Sequence, residues 1–321
     1  MKRLLLSSCL LLFGAWLSAA EKDGGFERPS SSTNHPSQGG SSTNRVFKVM
    51  AYNVHNFLLM DRDRDGLEND PKPEAEKEVL YTIIAEEAPD VLALVEVGGR
   101  KFLEEIQEGL KKKGREYPHD DWVEGSDHSR HVCLLSRFPI VDRQPHTEGK
   151  YRLGNQELGV SRGFIEADIQ IAPDYRLKVY VAHLKSKRAP KVEVEGGADA
   201  MRLEEAKLLR QYMDEDLTAN PKVNLLAMGD LNDTPDSPAI KTILSATTFH
   251  LFDLCPRNAK GFEGTYYYRP KKKFERIDYL IVSEGLKREY IEKSARIRDD
   301  SLSWKASDHF PIQASFCVGD R

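Results

Sequence analysis

Side chains able to bind a metal ion or a phosphate follow four separate apolar segments of this chain. These residues are Asn53, Glu96, His183 and Asp230, with Asn232 two positions after the last of them. Apolar segments of this length, bounded by turn residues, are typical of buried strands. Strands often end in Asp or Asn, but that explanation fits one or two such positions more easily than four. We therefore expect these side chains to gather at one end of a sheet, where strands leave the core and form a site.

The last third of the chain adds further acidic and imidazole groups. Asp278 opens another apolar segment, and Asp308 and His309 directly precede the final one. Carboxylates such as Glu96 and Asp308 supply hard oxygen ligands, which suit Mg²⁺ or Mn²⁺. Two carboxylates ~4 Å apart repel each other by roughly 4 kcal/mol at an effective dielectric constant near 20, so a cation would stabilise them. The sequence therefore favours a divalent metal site that contains Glu96 and Asp308.

Helices and strands alternate along the part of the chain that carries these residues. Some segments have the apolar spacing of amphipathic helices, and others have the composition of strands. The expected helices cover residues 74–87, 102–110 and 199–217. The expected strands include residues 162–171 and 176–183 as neighbours, residues 266–269 and 276–282 as a hairpin with a lysine-rich turn, and residues 311–318 at the end. This order of elements predicts sheets covered by helices.

Seven short segments occur in a recognisable order, although each of them alone is a weak signal. They are Tyr52-Asn53-Val54, Val95-Glu96-Val97, Ser136-Arg137-Phe138-Pro139, His183-Leu184-Lys185-Ser186, Gly229-Asp230-Leu231-Asn232, Arg276-Ile277-Asp278-Tyr279 and Ser307-Asp308-His309. Together they resemble the endonuclease/exonuclease/phosphatase superfamily, which includes DNase I, AP endonucleases, bacterial sphingomyelinases and inositol polyphosphate 5-phosphatases. The resemblance implies an α+β, DNase I-like domain in residues 45–318. Its fold would be a four-layer α/β/β/α sandwich, in which two packed mixed β-sheets are flanked by helices.

The resemblance also implies metal-dependent hydrolysis of phosphoester bonds, with Mg²⁺ or Mn²⁺ as the cofactor. Such a reaction requires neutralisation of the phosphate, activation of water for in-line attack and stabilisation of the leaving oxygen. By analogy with the family, Glu96 would be the principal metal ligand. Asp308 would lie beside it, and Asn53 would lie close enough to bind either the metal or the substrate.

Proton transfer has two candidate bases. His309 and Asp278 resemble an acid–base pair, because a carboxylate on one ring nitrogen fixes the tautomer and stabilises the imidazolium. In the family this pair activates water or contacts the phosphate. Asp230 is the rival base, with Asn232 as a phosphate ligand and orienting group. The sequence leaves open which residue takes the proton.

Two further residues could contact the substrate. DNase I-like nucleases and lipid-cleaving members carry a histidine at the position of His183, which implies a role in phosphate binding or acid catalysis. A lone histidine on such a strand would otherwise be a core residue bonded to the backbone. DNase I pairs its histidine with a glutamate, and the residue at the approximate position of that glutamate here is Arg130.

Arg162 could contact a substrate phosphate, as an arginine near this point does in DNase I, or form a surface ion pair.

An acidic segment resembles the first half of a calcium-binding loop. Asp61, Asp63 and Asp65 have the alternate spacing of such loops. The twelfth position counted from Asp61 is Lys72, however, where an EF-hand carries glutamate. A solvated acidic loop is therefore the favoured alternative to a structural Ca²⁺ site, in which Glu68 and Asp70 could supply other ligands.

Aromatic and basic residues precede Asp278. Three consecutive tyrosines at 266–268 are followed by three lysines at 271–273. Such residues beside a catalytic strand could hold a nucleic-acid backbone and stack bases. Hairpin turns are also commonly lysine-rich for solubility, so both interpretations stay open.

The amino-terminal residues predict export. Residues 1–20 begin with Lys2 and Arg3, continue with an apolar stretch and end in small residues, as a signal peptide does. Residues 21–44 are rich in Ser, Gly, Thr, Asn and Pro, which predicts a disordered low-complexity linker. The formal net charge of −4 argues against a general polyanion binder and is compatible with local basic patches. We expect a periplasmic or extracellular monomer without stable membrane insertion after removal of the signal.

These observations favour an exported, metal-dependent nuclease that acts on DNA or RNA. The alternative is an enzyme acting on lipid headgroups or inositol phosphates. Inositol 5-phosphatases typically show Trp-Cys-Asp-Arg where this chain has Arg276-Ile277-Asp278-Tyr279, and no apolar aromatic hairpin tip typical of membrane-attacking members stands out. A non-catalytic binding protein on the same scaffold is the third interpretation, which the full set of acidic, Asn and His positions disfavours.

Overall fold

The computed structural model describes residues 45–190, 193–245 and 248–319. The predicted signal peptide (residues 1–20) and the predicted linker (residues 21–44) lie outside the described residues. The strands, numbered in chain order, are β1 (Val46–Phe57), β2 (Val91–Val97), β3 (His119–Val123), β4 (His131–Ser136), β5 (Ile140–Arg143), β6 (Lys150–Leu153), β7 (Gln156–Gly159), β8 (Phe164–Ala172), β9 (Tyr175–His183), β10 (Leu225–Asp230), β11 (Phe252–Asp253), β12 (Tyr266–Tyr268), β13 (Lys273–Glu275), β14 (Asp278–Val282), β15 (Arg296–Ile297) and β16 (Ile312–Cys317). The helices are α1 (Glu74–Glu87), α2 (Arg100–Lys112), α3 (Gly197–Ala219), α4 (Pro238–Leu244), α5 (Glu284–Glu289) and α6 (Ser303–Ala306), with a short 3₁₀ helix at Arg269–Lys271.

Most of the strands form two six-stranded sheets. The first has the order β15-β16-β1-β2-β4-β3, and the second has the order β11-β14-β10-β9-β8-β5. In the first sheet β1 and β2 are parallel and the other pairs are antiparallel. In the second sheet β9 and β10 are parallel, and the other pairs are again antiparallel. Both sheets are therefore mixed, as the sequence predicts.

Alternate residues of each strand face different layers. In β1, Val49 and Ala51 pack into the core between the two sheets, whereas Met50 and Tyr52 face the layer of α1 and α2. The outer face of the second sheet is covered in the same way by α3 and α4. This period of two follows from the pleat of a strand. The result is the predicted four-layer α/β/β/α sandwich.

The predicted hairpin between residues 266–269 and 276–282 is wrong in its pairing. β12 pairs with the short polar strand β13, whereas β14 lies inside the second sheet between β10 and β11. The physical reason is burial. All five residues of β14 are buried, which requires a place within the sheet, whereas β13 is largely exposed. With β14 beside β10 in the second sheet, Asp278 lies directly opposite Asp230.

None of the helices in the described ranges combines the length and the apolar composition that a bilayer-spanning helix needs. The longest of them is α3, with 23 residues. One face of α3 packs on the second sheet through Ala206, Leu209 and Met213.

Gly229 lies where β10 approaches β9 most closely. Its φ is +137°, a conformation that residues with a Cβ atom rarely adopt. A Cβ atom at this position would lie 2.1 Å from the carbonyl oxygen of Ala182. Only glycine therefore fits directly before Asp230.

Replacing Gly229 by alanine should lower the free energy of unfolding by at least about 2 kcal/mol, because the strained φ and the overlap with β9 both add to the cost. Denaturant unfolding measures the change. Gly99→Ala is the matched control, since nothing lies within 4 Å of its Cβ position and its φ is −60°. Equal stability of the two variants would contradict the predicted overlap.

Candidate active site

The second sheet places three of the predicted site residues side by side. Asp230 at the end of β10 pairs with His183 of the parallel strand β9 and with Asp278 of the antiparallel strand β14. All three side chains are almost fully buried. The carboxyl ends of β9 and β10 and the start of β14 therefore form a polar cluster at the edge of an apolar core.

The first sheet supplies the facing residues. Asn53 lies in β1, Glu96 lies in the neighbouring strand β2, and Asp308 and His309 precede β16 on the other side of β1. Ser307 fixes this last segment, because its hydroxyl donates to the carbonyl oxygen of Asn53 (2.8 Å) and accepts from the amide of His309 (3.0 Å).

Hydrogen bonds join the two sheets at this point. The Asn53 Nδ2 donates to Asp230 Oδ2 at 2.9 Å and lies 3.4 Å from His309 Nε2. His309 Nδ1 is 2.9 Å from Asp278 Oδ2. The structure thus brings Asn53, Asp230, Asp278 and His309 into one continuous row. The predicted pair of His309 and Asp278 is present in the geometry.

Two carboxylates and one imidazole share this buried space, and their pKa values shift accordingly. Burial and the charge of Asp278 raise the pKa of Asp230 to about 7, against the opposing effect of His309. Burial lowers the pKa of His309, but the charges of Asp278 and Asp230 outweigh it and raise that pKa to about 10. At neutral pH His309 is therefore an imidazolium, and Asp230 is poised to gain or lose a proton.

Both carboxylate oxygens of Asp230 accept hydrogen bonds. Its Oδ2 accepts from Asn53, and its Oδ1 accepts the backbone N–H of Asn232 at 2.8 Å. Asn232 adopts a left-handed conformation with φ 57°, and its Nδ2 donates to the carbonyl of Leu184 at 2.9 Å. This bond fixes the side chain of Asn232 and leaves the second N–H of its carboxamide able to donate to another acceptor.

His183 is buried but is not a backbone-bonded core histidine. Its Nε2 lies 3.7 Å from Asp230 Oδ2, and its Nδ1 has no hydrogen-bond partner within the described ranges. Burial and the positive charges of Arg162 and His309 hold its pKa well below the usual value. His183 is therefore neutral at pH 7 and can donate one hydrogen bond.

Arg162 is buried beside the end of β9 and is not a surface ion pair. It is 7% exposed, and its Nη1 donates to the carbonyl of Leu184 at 3.3 Å. Its Nε lies 3.3 Å from a carboxylate oxygen of the half-buried Asp127. Arg130, the approximate match to the glutamate of DNase I, instead donates to Asn56 Oδ1 at 2.8 Å.

The backbone around Glu96 departs from regular strand geometry. β1 continues past Asn53 to Phe57, but its register with β2 shifts after Asn53. His55, Asn56 and Glu96 all have positive φ values of 49° to 65°. Glu96 Oε2 accepts the amide N–H of Asn56 at 2.8 Å. Such strained residues cluster at functional sites, where the surrounding structure must hold them.

His55 is a site residue that the sequence analysis missed. Its Nε2 is 3.8 Å from Asp308 Oδ2. Burial lowers the pKa of His55, while the negative charges of Asp308 and Glu96 oppose that shift. The carboxylate of Asp308 therefore lies beside an imidazole. No local sequence signal indicates this residue, because its position depends on the irregular backbone that follows Asn53.

Two sets of donor groups are candidates for holding a hard divalent cation. Glu96 and Asp308 are partly exposed carboxylates next to the strands on either side of β1, and a metal site made of these two residues stays a prediction. A second group consists of Asp230, Asp278 and His309, which offer ligand atoms within 4.8 Å of one another. Carboxylate oxygens suit Mg²⁺ or Mn²⁺. Asn53 is closer to the second group, since its amide bonds Asp230.

The acidic loop differs from its predicted form. Asp61 and Asp63 lie together with Asp70, not with Asp65, within 4.8 Å. The Asp65 side chain instead forms a local turn, in which its Oδ1 accepts the amide N–H of Leu67 at 2.8 Å. A calcium ion in this loop stays a prediction, with Asp70 in place of Asp65.

A sequence model of the endonuclease/exonuclease/phosphatase family matches residues 50–309. The chain belongs to this family. A comparison with curated protein sequences gives no match.

Solved structures of family members show the same fold. An endonuclease/exonuclease/phosphatase from Bacteroides vulgatus is 15% identical with a TM-score of 0.61, covering 86% of this chain and 100% of that one. The human Nocturnin catalytic domain with a bound sulfate anion is 19% identical with a TM-score of 0.59, covering 85% and 95%. Sphingomyelinase C from Streptomyces griseocarneus is 18% identical with a TM-score of 0.55, covering 85% and 99%. At these identities the likeness establishes the DNase I-like fold and leaves the substrate open.

Thr265 is a further residue that supports the site, and the sequence alone did not indicate it. It is fully buried, and its Oγ1 accepts the amide N–H groups of both Ile277 and Asp278 at 3.1 Å. The hydroxyl therefore fixes the backbone from which Asp278 reaches His309.

Thr265→Val keeps the shape of the side chain and removes this acceptor. We expect the free energy of unfolding to fall by about 1–3 kcal/mol, because buried N–H groups lose their partner. Denaturant unfolding measures the loss, and Thr265→Ser, which retains the hydroxyl, is the control. If the serine variant were the less stable of the two, packing of the methyl group and not the hydrogen bonds would account for the effect.

Proposed function

We propose that this protein is an exported, divalent-metal-dependent phosphodiesterase that hydrolyses phosphodiester bonds in DNA or RNA. The observation that carries the proposal is the buried row of Asn53, Asp230, His309 and Asp278 between the ends of the two sheets. Family membership supplies the reaction class, phosphoester hydrolysis. The expected signal peptide at residues 1–20 supports export, to the periplasm or outside the cell.

Asp230 is the group best suited to accept the proton of the attacking water. Its raised pKa of about 7 matches the neutral pH at which a general base is most effective. Asn53 and Asn232 hold both of its oxygens, so the carboxylate is fixed before the substrate arrives. This preference for Asp230 over His309 rests on the high pKa of His309, which keeps that imidazole protonated.

The neighbouring groups would stabilise the phosphate. The His309 imidazolium, held by Asp278, can donate from Nε2 to a phosphoryl oxygen as negative charge develops there. The neutral His183 and the carboxamide of Asn232 add hydrogen bonds, and the buried Arg162 adds positive charge behind them. A divalent cation held by Glu96 and Asp308 would neutralise the phosphate and stabilise the leaving oxygen.

A lipid-headgroup phosphodiesterase is the second candidate function. No aromatic tip is evident in the sequence, but the structure gathers Phe262, Phe274 and Trp304, each 36–42% exposed, into one cluster. Trp304 packs on Phe310, two residues after Asp308, at 4.9 Å. Exposed aromatic side chains suit a membrane interface. The similar fold of a sphingomyelinase is consistent with this candidate.

Purified protein should be incubated with plasmid DNA, single-stranded RNA and sphingomyelin vesicles in Mg²⁺, Mn²⁺ or Ca²⁺. We expect nicking or strand cleavage that falls at least about 100-fold in Asp230→Asn and His309→Gln, because each removes a group that acts on the reacting atoms. Lys207→Gln on the distant, exposed face of α3 is the matched control. Headgroup release without nucleic-acid cleavage would establish the second candidate instead, and inactivity on every substrate would refute both.

The same charges predict the pH dependence of cleavage. Below about pH 7 Asp230 is protonated and cannot act as a base, and above about pH 10 His309 loses its proton, so kcat/KM should fall on both sides. Asp278→Asn removes a negative charge that raises both pKa values, so both limbs should move to lower pH. Histidine NMR titration follows His309 directly even where activity is low. An unchanged His309 pKa in Asp278→Asn would contradict the assignment.

A further inference from the structure

A short row of aromatic rings leads away from His309. The ring of Tyr266 lies 4.6 Å from the imidazole of His309, centroid to centroid, at 34°. The ring of Tyr268 stacks on Tyr266 at 6.3 Å and 30°. Because successive side chains of a strand point to opposite faces, Tyr266 and Tyr268 share one face of β12. We call these two rings the tyrosine row.

The hairpin that carries the tyrosine row is fixed to the active site by its backbone. Tyr266 forms a bridge with His309, and the amide of Tyr267 donates to the carbonyl of Asp308 at 2.9 Å. On the opposite face of β12, Tyr267 packs against Phe274 at 4.8 Å and Trp304 at 5.1 Å. The position of the row relative to His309 is therefore set by packing and hydrogen bonds.

A cation without a carboxylate partner lies beside the row. Arg188 is exposed in the turn that follows His183, and within the described residues no carboxylate pairs with it. The neighbouring Lys187, in contrast, is paired with Glu275 at 2.7 Å. Glu275 is the register partner of Tyr266 in the hairpin, so the turn that contains Lys187 and Arg188 lies beside the hairpin that carries the row.

The turn itself is shaped to present Arg188. Lys185 Nζ donates to the carbonyl oxygens of Ser186 (3.0 Å) and Arg188 (2.8 Å), so the chain folds back on itself. Two carbonyl groups of the turn are thereby occupied, and an exposed guanidinium on this turn can bind an anion. Arg188 lies in the exposed turn that follows β9, the strand that ends at His183.

We infer that the tyrosine row and Arg188 bind the unpaired base and the adjacent phosphate of single-stranded nucleic acid next to the scissile bond. This inference rests on the proposed phosphodiesterase activity and narrows its substrate. Aromatic faces bind bases of any sequence, but only where the base is not already stacked and paired in a duplex. A cationic lipid headgroup would also favour tyrosine faces, but the positive charge of Arg188 repels it.

Binding and cleavage should be measured with a single-stranded oligonucleotide, the same strand in a duplex, and a small phosphodiester without a base. Tyr268→Ala should lower kcat/KM on the single strand about tenfold and leave the small phosphodiester unchanged, since one stacking contact is lost. Tyr268→Phe keeps the ring and should behave as the unaltered protein. Arg188→Gln should weaken the salt dependence of single-strand binding, because one phosphate contact is removed.

The outcomes separate this inference from the proposed function. Equal loss on both substrates in Tyr268→Ala, or tighter binding of the duplex than of the single strand, would overturn the inference while leaving phosphodiesterase activity intact. Cleavage of sphingomyelin that depends on Tyr268 would assign the row to a headgroup instead. Fluorescence anisotropy with a labelled single strand in EDTA tests the row even if no substrate is cleaved. Unchanged affinity of Tyr268→Ala in that assay refutes it.

Discussion

The hydrogen bond from Asn53 to Asp230 is the contact on which the site depends, because it joins the two sheets where their polar ends meet. Asp230 and Asp278 are both buried, and removing two carboxylates from water costs several kcal/mol each unless opposite charge and hydrogen bonds compensate. The His309 imidazolium lies between them and supplies that charge. The same arrangement that makes the buried carboxylates tolerable also raises the pKa values of Asp230 and His309. The charge interactions that stabilise the buried site therefore also set the pKa values on which its reactivity depends.

Local departures from regular strand geometry accompany this arrangement. Regular pairing of β1 with β2 ends after Asn53, and His55, Asn56 and Glu96 adopt left-handed conformations that cost roughly 1–3 kcal/mol each. Cationic groups hold the strained turn: Lys72 donates to the carbonyl of His55, and Arg62 donates to that of Asn56. The apolar layers beneath remain regular. Three of the left-handed residues thus lie together in the segment around Glu96, at the edge of the candidate site.

Local signals in the sequence were sufficient for much of the fold. Helix α1 has the predicted bounds of residues 74–87, since the prolines before it and its apolar stripe are both local features. The hairpin at 266–282 was mispredicted because adjacency along the chain favoured a pairing that burial overruled. The aromatic cluster of Phe262, Phe274 and Trp304 was missed for a related reason: its members are spread over about 40 residues, and only packing brings them together.

The sequence by itself determined which residue types stand at the strand ends, and the order of those residues was enough to indicate the family, the four-layer fold and the chemistry of phosphoester hydrolysis. Residue type and order follow the chain, so they can be read without coordinates. Tertiary structure decided which groups share a hydrogen bond, which carboxylate has the raised pKa, that Arg162 is buried, and that His55 and Thr265 belong to the site. These properties depend on distance and burial, and both arise only when segments far apart in the chain pack against each other.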